Sequence, residues 1–344
     1  MKSYYTVVFV DSYAIRLLKL EQRKKNKYLK LVYTLLKLSI AVLSFWFIYS
    51  EVLAKETFRN LFDEFFTLTD NPGKALIIFI IVILMFVNWA LEAVKWKFMI
   101  RKIEVVSFLK AFGAIFSGLT VSFFTPNRVG EYAGRIFHLH TGNRIRGTLI
   151  TIVENTSQLI ITMVIGSASL FFFLKTYIPV PNYLLNIIGL LIMIFIVLIV
   201  LLFIELPRLD ALLLRFRFMK RLEKYFQVIS SYSKYDLFML LLLAFCRYLI
   251  FSFQFYLILN LFEVTSNYSD AILLINMIFF AMTVIPTFAL TELGVRGAVS
   301  GYFLSKISID TIAILDSTIS LWAINLVIPS LIGIPFILKF RFKE

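Results

Sequence analysis

Six apolar runs, each long enough to cross a bilayer, constrain this chain more than any other feature. They lie at Leu31–Tyr49, Ala75–Val94, Gly147–Leu174, Tyr183–Ile204, Leu237–Leu261 and Thr311–Leu338. A span of about 20 apolar residues crosses the hydrocarbon core as a helix, because every backbone N–H and C=O must then be paired within the segment. The runs are continuous and do not alternate, which excludes an outer-membrane barrel. With 60% hydrophobic residues and a mean hydropathy of +0.86, the 344-residue chain leaves no length for a sizeable soluble domain. The fold expected is an all-α polytopic membrane protein.

The charged residues between the runs set the expected topology. The first thirty residues hold eight Lys/Arg, and the loop Glu51–Lys74 holds three against five acids. Lys95–Glu104 holds four, Lys175–Asn182 one, Glu205–Lys234 seven, and the tail Lys339–Glu344 three. The positive-inside rule then places both termini in the cytoplasm. The expected layout is a basic N-terminal segment (1–30), a transmembrane domain (31–338) and a short cytoplasmic tail (339–344). A cleavable signal is not expected, because thirty residues precede the first long run and no small-residue cleavage site follows it. The net charge of +14 is spread between the runs and forms no single patch, so no nucleic-acid partner is expected. A single cysteine, Cys246, and the two histidines His138 and His140 argue against a disulfide or metal site, and no cofactor is expected.

Two further apolar stretches, Ser107–Phe124 and Ala271–Ile285, fit the charge alternation as re-entrant elements entering from opposite faces. Six full spans and two re-entrant segments make eight membrane segments, arranged as an inverted repeat; eight plain spans are the alternative. The local sequences support the repeat. The first stretch runs into Thr125-Pro126-Asn127-Arg128-Val129-Gly130-Glu131-Tyr132-Ala133-Gly134-Arg135, the second into Ile285-Pro286-Thr287-Phe288-Ala289-Leu290-Thr291-Glu292-Leu293-Gly294-Val295-Arg296. Each has a proline, then Glu and Arg four apart beside glycine. Gly/Pro-broken segments at matching places in two halves point to a transporter's binding site.

Charge inside the apolar zone costs several kcal/mol per group and so implies a partner or a function. Thr151, Glu154, Gln158, Thr162 and Gly166 form one stripe on the third span, and Asn88 with Glu92 forms a face on the second. Arg247 and Gln254 lie two turns apart on the fifth. Either Glu154 or Glu92 pairs with Arg247 as structural glue, or these groups bind a substrate. A helix starting at Pro126 with Thr125 at its cap would aim free N–H groups, Arg128 and Arg135 at a phosphate, with Gly130 and Gly134 leaving the backbone open. The plainer reading of Glu131 and Arg135 is a helical i,i+4 pair, and the same holds for Glu292 and Arg296. His138 and His140 read as interfacial polar residues, and Lys37 as a snorkelling one.

The stretch Phe123–Arg135, the span bearing Glu154, and Ile285–Arg296 resemble, in order and spacing, the transmembrane flippase-like region of bacterial lysylphosphatidylglycerol synthases and its stand-alone relatives. The resemblance covers roughly residues 30–340. Thr291-Glu292 stands where that family has paired glycines, Gly297 where an acid follows the arginine, and Asn155 and Gln158 where Arg and Asp often follow the glutamate. The resemblance implies lipid transport: translocation of an anionic or modified phospholipid, or of a lipid-linked intermediate, between leaflets. The head group would meet Arg128, Glu131, Arg135, Glu154, Arg247, Glu292 and Arg296. The chain ends six residues after its last span, so the aminoacyl transferase domain of two-part members is expected to be absent, and no enzymatic activity is expected. Two alternatives stay open: a membrane-embedded enzyme on a lipid-linked substrate, and a non-transporting partner of a cell-envelope glycosyltransferase docking on Glu205–Lys234.

Overall fold

The computed structural model describes residues 67–123, 125, 129–208, 223–265, 267–285 and 289–339. The expected first span, Leu31–Tyr49, the basic N-terminal segment and Arg128 lie outside the described residues. The described elements are all helical. In chain order they are α1 (Pro72–Ile100), α2 (Phe108–Ser122), α3 (Gly130–Ile136), α4 (Arg144–Tyr177) and α5 (Asn182–Ile204), then α6 (Glu223–Ser230), α7 (Lys234–Leu261), α8 (Tyr268–Val284), α9 (Ala289–Leu304) and α10 (Thr311–Trp322). A π-helical turn, Ala323–Val327, joins α10 to α11 (Ile328–Lys339) in one continuous span. Among the described residues, five helices are long and apolar enough to cross a membrane: α1, α4 with its preceding turn, α5, α7, and α10–α11. They coincide, within a few residues at each end, with the five described runs of the sequence.

Polar caps set where these helices begin. Asn71 accepts from the Gly73 and Lys74 amides with Pro72 at the first helical position, and Ser233 and Asp236 form a reciprocal capping box. Asp310 accepts from the Ile312 and Ala313 amides at 3.0 Å. At the other end of its helix, α1 differs from expectation. Charge counting ended it at Val94 and placed Lys95 in a loop, whereas the helix continues to Ile100 and Lys95 is fully buried. Carboxylates inside the protein explain the difference, as shown below.

The two shorter apolar helices, α2 and α8, each fold back on the helix that follows, α3 and α9. Fifteen residues of α2 rise only about 22 Å, short of the roughly 30 Å hydrocarbon core. The chain then reverses, and α3 packs along α2. Glycine makes that reversal possible: a Cβ at Gly134 would lie 2.5 Å from Gly118 Cα, and one at Gly130 would lie 2.5 Å from the Val121 carbonyl oxygen. Gly130 and Gly134 therefore serve helix-to-helix contact, not the open phosphate-binding backbone expected of them. Thr125 does cap this element, its hydroxyl accepting from the Gly130 amide at 2.7 Å, although the described helix begins at Gly130. The second hairpin, α8–α9, repeats the arrangement.

The two halves, α1–α4 and α7–α11, pack by one scheme. The first hairpin helix α2 lies on α11 of the other half, and α8 lies on α4. Likewise α1 meets α2 and α4 as α7 meets α8 and α10, while α1 and α7 pack against each other. Polar contacts show that the halves run in opposite directions. Lys74 at the start of α1 reaches Glu263 past the end of α7 at 2.8 Å, and Arg101 past the end of α1 reaches Asp236 at the start of α7 at 2.8 Å. An inverted repeat needs an odd number of crossings between equivalent points, and α5 supplies the third after α1 and α4. That helix is otherwise peripheral, burying only Leu185 and Phe203.

Cysteines placed singly at Gly142 and Asn267 in a Cys246→Ser background should therefore label from opposite faces of sealed vesicles. Labelling of both from one face would overturn the inverted arrangement.

Candidate functional site

The interior of the first half is organised around a cluster of charge. Folding α3 back onto α2 carries Arg135 inward until it is fully enclosed. One terminal nitrogen of Arg135 lies 2.7 Å from Glu154 on α4; the other lies 2.7 Å from Glu92 on α1 and also bonds Glu131 one turn away. Lys95 stands between the same carboxylates, 2.9 Å from Glu154 and 3.2 Å from Glu92. Arg247 of α7 completes the set at 3.1 Å from Glu92. Three carboxylates thus face three cations and the charges cancel. Trp96 buttresses the cluster, its indole N–H donating to the Thr151 hydroxyl at 3.1 Å.

Arg135 and Glu154, expected on the head group, are committed to this internal network and have no exposed surface. The reason is chemical. A guanidinium offers a planar fork that two or three carboxylates can saturate, and isolated charge at membrane depth is expensive. Glu131 stays partly accessible at 16% of its side chain. Of the two pairings open in the sequence, Glu92 takes Arg247 and Glu154 does not. The stripe Thr151, Glu154, Thr162 and Gly166 does face inward. Gly166 is where α8 presses closest: a Cβ there would meet Phe280 at 2.5 Å.

Arg247 has two sides. Behind it lies the network; in front lies a cavity of about 480 Å³ between the two hairpin tips. Arg247 packs over the Trp89 ring at 5.1 Å and approaches Gln158 at 3.4 Å. Thr125 from the first hairpin and Thr283 from the second border the cavity, as do Glu292 and Arg296 on α9. Glu292 and Arg296 pair at 2.8 Å, the i,i+4 contact their spacing allows. Asn325, on the π-helical turn, borders it from the last span and donates to Gln254, which in turn donates to the Ile81 carbonyl. Single π-helical turns recur at functional sites because the extra residue redirects a side chain.

The family of the chain can be stated at this point. The model of the family described as "Lysylphosphatidylglycerol synthase TM region" matches residues 34–333. This chain belongs to that family. No curated protein and no solved structure matches it. Membership in the lysylphosphatidylglycerol synthase transmembrane-region family, with five apolar helices long enough to cross a bilayer, makes it an integral membrane protein tied to lipids.

Within this family member, three of the seven expected site residues, Arg247, Glu292 and Arg296, border the cavity. Three more, Glu131, Arg135 and Glu154, form the network, and Arg128 lies outside the described residues. Sequence reasoning missed Lys95, Trp89 and Asn325. A signal for Lys95 existed: Asn88, Glu92 and Lys95 step by four and three along one helical face. Asn325 carried none, because its direction depends on the π-helical turn.

His138 and His140 belong to the polar layer at the Arg101 end. His138 Nε2 lies 2.9 Å from the Ser117 hydroxyl, and the His140 amide donates to Glu104 at 3.0 Å. Burial pushes the Glu104 carboxyl up, but bonds from Lys110, the His140 amide and Asn143 outweigh it and hold it below the usual range.

Proposed function

We propose that this protein translocates a phosphate-bearing lipid between leaflets, the head group passing through the cavity between the hairpin tips. The observation that carries this reading is an arginine-bordered cavity where two oppositely directed hairpins meet. Helices entering from both faces and ending at one site allow access from either side when one half rocks against the other. Arg247 would meet the phosphate, since it borders the cavity while its counter-ion Glu92 lies behind it. The reading assigns transport and no bond-breaking chemistry. It places the chain in a bacterial cytoplasmic membrane with both termini inside, in keeping with basic residues such as Arg101, Lys102 and Arg144 at one end.

The test is leaflet exchange of tail-labelled fluorescent lipids in proteoliposomes, scored by dithionite quenching. Wild type should exchange at least one lipid class faster than empty vesicles. Arg247→Ala should slow exchange about tenfold or more, with Arg247→Lys intermediate. Absence of exchange for anionic, zwitterionic and polyprenyl-phosphate lipids alike would reject the proposal.

A further inference from the structure

The polar atoms that the protein leaves unpaired at the cavity are of a particular kind. Among the described residues, Asn88 Oδ1, Asn325 Oδ1, Trp89 Nε1 and Arg247 Nε are buried at the cavity without a hydrogen-bond partner. Asn88, Asn325 and Trp89 are 1%, 7% and 5% exposed, and with Arg247 they border the cavity from three different spans. Native proteins rarely leave such groups unmatched, since each costs about 1–3 kcal/mol. Two of these atoms need a donor and two need an acceptor. A phosphate only accepts and would satisfy the indole and the guanidinium Nε alone. An ammonium only donates and would satisfy the amides alone. A hydroxyl does both.

Charge and shape point the same way. Among the described residues, the charged ones bordering the cavity are Arg247, Arg296 and Glu292, two cations to one carboxylate, and that carboxylate is already bonded to Arg296. An added ammonium would find no uncommitted anion among the described residues there and would sit beside two guanidinium groups. The rings of Trp89, Trp322 and Tyr248 supply flat apolar surface against which the C–H face of a polyol ring can lie. The volume falls within the range of small-molecule sites.

We infer that the cavity takes a head group of one phosphate bearing a sugar-like ring of hydroxyls, in preference to one bearing ammonium groups. This rests on the cavity being the lipid site proposed above, and it specifies which lipid.

The test is binding, scored apart from transport. The full chain in detergent micelles is titrated with short-chain phosphatidylinositol, phosphatidylglycerol and lysylphosphatidylglycerol, following tryptophan fluorescence. Phosphatidylinositol should bind about tenfold more tightly than lysylphosphatidylglycerol, equivalent to about 1.4 kcal/mol. Asn88→Leu should reduce that ratio to about threefold or less. If Asn88→Leu does not fold, the wild-type ratio decides alone. Equal binding, tighter binding of the lysyl lipid, or no binding of any of the three would overturn the inference. Leaflet exchange persisting in any of those cases would leave the transport reading standing.

Discussion

Replacing Arg135 with leucine is expected to destabilise the folded protein by about 3–5 kcal/mol, the range for removing one partner of a buried ion pair. Arg135 contacts Glu92, Glu131 and Glu154, and its loss leaves those three carboxylates with only Lys95 and Arg247. Glu154 has no exposed surface, so water cannot take over from the lost guanidinium. The double variant Arg135→Leu/Glu154→Leu restores equal numbers of cations and carboxylates. It should be less destabilised than the sum of the two single variants, with a coupling of at least about 1 kcal/mol. Thermal or denaturant unfolding in detergent micelles gives all four corners of the cycle. An Arg135→Leu protein within about 1 kcal/mol of wild type would mean the network does not hold the first hairpin in place.

Gly134→Ala is expected to do comparable damage by a different route. One added methyl group would lie 2.5 Å from Gly118 Cα and 2.6 Å from the Gly118 nitrogen and the Ser117 oxygen, all backbone atoms that no rotamer change can move. The hairpin must open, and overpacking of this kind costs about 1–3 kcal/mol. Opening the hairpin also withdraws Arg135, one residue along, from its carboxylates, so the total should exceed the steric part. Gly301→Ala is the matched control: it lies within α9 with nothing within 4 Å of the added atom. It should be neutral or stabilising by up to about 1 kcal/mol, the ordinary helix preference for alanine. Unfolding midpoints of the two variants measure the contrast directly. Equal effects at Gly134 and Gly301 would show that α3 does not need its close contact with α2.

Much of the architecture was legible because the bilayer imposes a simple rule on each segment separately. An apolar run must satisfy its own backbone bonds, so its length and its flanking charges reveal a helix and its direction without any knowledge of neighbours. The five described spans, the two short hairpin helices and the inverted relation between the halves all follow from this local logic. The inward stripe on α4 was legible for the same reason, since helical spacing alone puts Thr151, Glu154 and Thr162 on one face. Lys95 defeated the rule. Counting it as a loop charge assumed that a cation near a helix end faces water, whereas Glu92 and Glu154 supply anions inside the protein.

The amino-acid sequence by itself determined that this is a helical membrane protein of the lysylphosphatidylglycerol synthase transmembrane-region family with paired, oppositely directed hairpins. Which charges serve the interior and which border the cavity was decided only by tertiary structure. Arg135 and Arg296 occupy matching places in the two motifs and have matching i,i+4 glutamates, yet one is enclosed by three carboxylates and the other borders an open cavity. The difference comes from distant partners. Glu92 and Glu154 approach Arg135 from α1 and α4 because Gly118, Gly130 and Gly134 let α3 lie flat on α2. In α9, Gly294 and Gly301 have no such close neighbour. Charge–charge energy depends on separations set by helices far apart in the chain, and spacing within one helix does not encode them.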